Sequence, residues 1–176
     1  MGAEYFLIKP NPVYTDAPMP ANLHSTLNTN DFYQDRPTEI PPRCVVELTH
    51  NPHVDFTDFV YRSIPLFSGR ATDIIDLFMP SYIKKEIIFF DQKSAGDQMY
   101  RLLFLPRVHS AVPLFEQGEI SVWQLEVDDA LPMFYALHNN ECKVVVRLDL
   151  LESLLRNGCR GFTASPIMVK RGGQNG

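Results

Sequence analysis

Apolar positions along this chain fall into short runs, and only two stretches space them as a helix would. The first run, Tyr5-Phe6-Leu7-Ile8, is bounded by Pro10 and Pro12 and predicts an opening strand. Residues 44–48, 99–105, 120–127, 133–137 and 143–148 carry strand character in the same way. Within "ISVWQLEV" the alternation sets Trp123, Leu125 and Val127 on one face and Val122, Gln124 and Glu126 on the other, which makes Trp123 the expected core anchor.

The two helical stretches belong to a repeat. "LFSGRATDIIDLFMPSYIKKEIIFF" (residues 66–90) and "VRLDLLESLLRNGCRGFTASPIMVK" (146–170) match at an offset of 80, which carries Ile74-Ile75 onto Leu154-Leu155 and Tyr82 onto Phe162. Each copy reads as a short amphipathic helix, a turn and an apolar strand. In the first, Ser68 is the expected N-cap, Ile74, Ile75 and Phe78 form the buried face, and Pro80 ends the helix. In the second, Asp149 and Glu152 have capping-box spacing, Leu151, Leu154 and Leu155 form the face, and Gly158 is placed for the stop.

Between the first two strands, Pro12, Pro18, Pro20, Pro37, Pro41 and Pro42 punctuate a polar segment with neither period, which predicts a long irregular arm over residues 11–43. The expected fold is therefore α+β: one domain over residues 1–176, an antiparallel or mixed sheet with two short helices packed on it, and the arm.

Composition changes this picture little. With 45% hydrophobic and 21% charged residues, the 176-residue chain can bury a sizeable core. A net charge of -5 argues against nucleic acid as partner, because that binding needs clustered Lys and Arg. Cys44, Cys142 and Cys159 are odd in number and share no C-x-x-C spacing, as expected of reduced, buried thiols. No apolar run is long enough to span a bilayer, and the first residues lack the pattern of a secretory signal, so the expected location is the cytoplasm.

Candidate chemistry is sparse. His50 and His53 stand beside Asp55, residue types that bind metals and move protons, but Pro52 prevents the two histidines from sharing a helix face. A zinc site there needs a further ligand, from His24, His109, His138, Asp55 or a cysteine, and the spacing selects none. The plainer expectation is a hydrogen-bonded turn, with no cofactor. Glu116, Glu119, Glu126, Asp128, Asp129 and Glu141 lie in a stretch without Lys or Arg, which suits a basic protein partner as well as a solvated face. Tyr14, Phe32 and Tyr33 in the arm are either anchors for that partner or clamps onto their own domain.

The helix opened at Ser68, the strand pair in "IIFFDQKSAGDQMYRLLFLPRV", and the closing helix, Gly158, Gly161, Phe162 and strand in "VVVRLDLLESLLRNGCRGFTASPIMV" together resemble immunity-protein family eleven of bacterial polymorphic toxin systems. The likeness covers about residues 60–170. It implies a small cytoplasmic protein that binds and neutralises a cognate toxin and has no catalytic residues. Two other readings stay open: an adaptor or structural subunit of a larger bacterial or phage assembly, and a metal-dependent enzyme using His50, His53 and Asp55.

Overall fold

The structure is a computed structural model describing residues 4–94, 96–108, 112–116, 119–124, 131–138 and 141–170. It is α+β, as the patterning predicts, but its strands form two sheets rather than one. A five-stranded sheet is built from β2 (Arg43–Glu47), β3 (Phe59–Tyr61), β4 (Pro65–Ser68), β5 (Ile83–Phe90) and β6 (Asp97–Phe104), in the order β2-β5-β6-β4-β3. A seven-stranded sheet is built from β1 (Tyr5–Pro10), β7 (Arg107–Val108), β8 (Val112–Glu116), β9 (Glu119–Gln124), β10 (Met133–His138), β11 (Glu141–Arg147) and β12 (Phe162–Lys170). Its order is β7-β10-β11-β1-β12-β9-β8.

The sequence repeat is part of a larger internal duplication. In the first sheet β2 runs parallel to β5, and β5-β6-β4-β3 are successively antiparallel. In the second, β9 runs parallel to β12, and β12-β1-β11-β10 are successively antiparallel. Helix α3 (Gly69–Phe78) joins β4 to β5, and α4 (Leu148–Arg156) joins β11 to β12 in the matching place. The two helices pack against each other. One substitution breaks the correspondence. The central strand of the first unit is β6, which follows β5 in the chain, whereas the centre of the second is β1, from the far end of the sequence. The second unit also carries an extra strand at each edge, β8 against β9 and β7 against β10.

Local detail follows the sequence closely in α3. Ser68 caps it, its Oγ accepting the Ala71 N–H at 3.1 Å, and Ile74 and Ile75 are buried. In α4 the expected capping box does not form. Asp149 instead holds Arg147 in a bidentate pair and accepts the N–H of Leu150. The buried face is Leu150, Leu151 and Leu154, while Leu155 is 54% exposed. The turn after α4 takes Gly158 into the left-handed region at φ 73°, the helix stop its position suggests.

The arm is not irregular throughout. Residues 11–43 contain α1 (Leu23–Thr26), α2 (Thr29–Tyr33) and a 3-10 turn at Pro37–Glu39. Helices this short do not persist without packing. Leu23, Leu27, Phe32 and Ile40 supply it, all buried in a core shared with residues of both sheets. Phe32 meets Phe104 and Tyr135 edge-on. The buried guanidinium of Arg107 lies over the Phe32 ring at 4.8 Å and donates to the carbonyls of Phe32 and Tyr33, which close the C-terminus of α2. Its Nε stands 3.4 Å from the Asp35 carboxylate, an ionic contact without hydrogen-bond geometry. The arm is thus ordered by its own chain.

Candidate functional site

The three residues of the suspected metal site go to three different places. His50 Nδ1 lies 2.9 Å from Asp91 Oδ2, which ties the loop after β2 to the β5–β6 turn. His53 is exposed, and its backbone N–H donates to Asn51. Asp55 forms a bidentate pair with Arg160. Among the described residues no three His, Cys, Asp or Glu side chains gather as metal ligands do. His24 Nε2 lies 3.1 Å from Ser63 Oγ on the surface, but no carboxylate among the described residues bonds that imidazole, so the pair lacks the member that orients a catalytic histidine.

Buried charge in this region joins the two units. Asp58 accepts from Ser68 Oγ, from both arms of the Arg70 guanidinium and from the backbone N–H of Arg160. Burial by itself raises its pKa, but the hydrogen bonds from Arg70, Ser68 and Arg160 outweigh that and hold the carboxyl below its ordinary value. Beside it Gly161, at φ 97°, presses on Thr57 so closely that a Cβ would sit 2.3 Å from the threonine Cβ. This junction has every carboxylate oxygen engaged, which marks it as a rivet between α3 and the β12 turn. The thiols are buried, as expected, and burial pushes Cys142 up to about 12 and Cys159 to about 11.

The arm aromatics all make contacts within the chain. Phe32 is 0% exposed, which corrects its candidacy as a partner anchor: no surface of its ring is left to offer. Tyr33 donates to the Ser63 carbonyl and lies 3.4 Å from the Tyr61 hydroxyl, which in turn donates to the Cys142 carbonyl. Tyr14 lies beneath the Arg160 guanidinium. Glu126, Asp128 and Asp129, His109, and the side chains of Trp123 and His138 lie outside the described residues.

The surface best suited to a ligand is the β2 edge of the five-stranded sheet. Strand alternation sends Cys44 and Val46 into the core and leaves Val45 54% exposed. Phe90 of β5, 37% exposed, lies on the same face, with half-buried Ile88 between them in the register Val45↔Ile88 and Glu47↔Phe90. Next to this apolar strip is a shallow groove lined by Pro42, Arg43, Asp73, Lys84, Glu86 and Arg101. Its charges are matched within the chain: Arg43 with Glu86, Lys84 with Asp76, Arg101 with Asp73. Asp76 also accepts from Tyr82, and these partners hold its pKa down against the opposing effect of burial. Sequence reasoning passed over this site because Val45 and Val46 look alike; the signal was the strand alternation, which puts Val45 on the side of Arg43 and Glu47.

No family model matches the chain, and no curated protein is similar to it at a significant level.

Proposed function

We propose that this protein is an immunity protein that binds and neutralises a cognate bacterial toxin in the cytoplasm, acting by occupation of the toxin rather than by catalysis. Residues 60–170 supply the resemblance that names the class. One structural observation carries the reading: an exposed apolar strip, Val45 and Phe90, beside a sheet edge and rimmed by charges already paired within the chain. An apolar centre with a polar rim is the anatomy of a protein interface, and pre-paired rim charges limit the desolvation cost of contact. No described helix is long and apolar enough to cross a membrane.

The same sheet edge would also suit an adaptor or structural subunit, and the neighbouring gene distinguishes the two. Co-expression of the tagged protein with a toxin encoded immediately upstream should give a stoichiometric complex and rescue growth. Absence of both, next to a phage structural or secretion operon, would favour the adaptor.

A further inference from the structure

The internal duplication shows what the β2 edge is built to receive. In the second unit the strand equivalent to β2 is β9, and β8 lies antiparallel along its outer edge, with Val112 opposite Gln124 and Glu116 opposite Glu119. Arg43 and Glu119 begin the two strands and are 76 positions apart, and the same step takes Leu48 to Gln124. In the first unit Pro20 bridges Leu48 in antiparallel sense, just where Val112 meets Gln124. The arm therefore starts to lay down the equivalent of β8. It then leaves the edge: Ala21 N–H reaches the Glu47 carbonyl, Asn22 Oδ1 takes the Glu47 N–H, and the chain turns into α1 at Leu23.

What remains is a slot. In the parallel ladder with β5, Pro42 and Leu48 bond inward to Glu86 and Phe90, which directs Arg43, Val45 and Glu47 outward. Glu47 is taken by the arm. Among the described residues nothing bonds the outward backbone groups of Arg43 and Val45. We propose that an extended segment of the partner polypeptide docks there, antiparallel to β2, in the position that β8 fills in the second unit. This deepens the immunity reading and rests on it.

The slot specifies its occupant. Backbone donors and acceptors at Arg43 and Val45 fix the strand and its register, and the occupant residue opposite Val45 sets its side chain on the face carrying Val45 and Phe90, so an apolar residue fits. Charge does not select it, because the groove's ions are internally paired. A second copy of this chain fits poorly. Two β2 edges brought together antiparallel would set Pro41 and Pro42 of one copy, which have no N–H, against the Ala21–Asn22 crossing of the other.

The test uses the full chain and the toxin that co-purifies with it. Val45→Pro removes an N–H that faces away from β5, so the ladder to β5 is kept, while Val45→Thr keeps the N–H and the branched shape. We expect the proline variant to bind about tenfold more weakly or worse, the threonine variant to bind like wild type, and the Arg43 and Val45 amides to slow in hydrogen exchange on complex formation. The amide readout holds even if the proline variant folds badly. A complex in which those amides exchange unchanged overturns the slot and leaves the immunity reading standing. No complex at all removes both. A dimer of this chain alone that Val45→Pro abolishes would mean that a second copy fills the edge, which also overturns the proposal.

Discussion

At the scale of single residues, burial settles roles that residue type leaves open. Phe32 stands in a polar, proline-punctuated segment and has the look of a free anchor, yet it is at the centre of an aromatic cluster. Phe32→Ala should cost about 3–5 kcal/mol in denaturant unfolding, the range for emptying a buried aromatic site. A loss under about 1 kcal/mol would mean that the arm contributes little to the core. Asp91 offers a second test. The backbone N–H of Lys93, then His50 and Ser94, favour its charged form and lower its pKa from 3.8 to about 2. Because the folded value lies below the unfolded one, this contribution is complete above about pH 4 and is lost as pH falls toward 2. Asp91→Asn should therefore flatten the acid limb of stability between those values, measured by denaturant midpoints across the range.

At the scale of elements, α4 separates two leucines that the sequence makes look alike. Leu154→Ala should cost about 2–5 kcal/mol, and Leu155→Ala about 0.5 kcal/mol or less, read from the same unfolding curves. The helical spacing was legible and Leu151 and Leu154 are buried as expected, but Leu150 rather than Leu155 completes the face, and the helix starts at Leu148, ahead of the expected capping box. Strands β3 and β4 were not legible. They are three and four residues long, and their hairpin turn holds Ser63 and Ile64 before Pro65, so alternation has no room to show. Longer strands such as β1, β6 and β11 stood out because each carries a run of three or more apolar residues. The Asp58 junction was beyond reach for another reason: Arg160 approaches Asp58 from 102 positions away, and no local pattern encodes such a meeting.

For the whole molecule, the proposed binding gives charge and edge different kinetic signatures. If the proposed toxin partner is basic, charge reversal at Glu126, Asp128 and Asp129 should slow association and flatten its salt dependence while leaving dissociation nearly unchanged, since an acidic cluster speeds encounter with a basic partner mainly by steering. Surface plasmon resonance at several ionic strengths reads both rates. The edge substitutions at Val45 should do the reverse and act on dissociation. The offset-80 repeat was visible as helix, turn and strand, but the duplication extends to five strands per unit. Its remainder was hidden because β1 stands at the opposite end of the chain from the unit it completes.

That displaced strand sets a timetable for synthesis. On the ribosome, residues 43–104 emerge with every strand of the five-stranded sheet and with α3, so the pairings of this sheet are available before the second unit is made. Strand β1 emerges before all of it and has no place there, since its neighbours are residues 144–147 and 162–167. Tyr5, Leu7 and Ile8, all buried in the finished fold, have no strand partners until residues 144–147 and 162–167 have been made. A strand made before the first unit is thus used only with the second, and in the interval its apolar residues are open to wrong pairings, the exposure that chaperones counter.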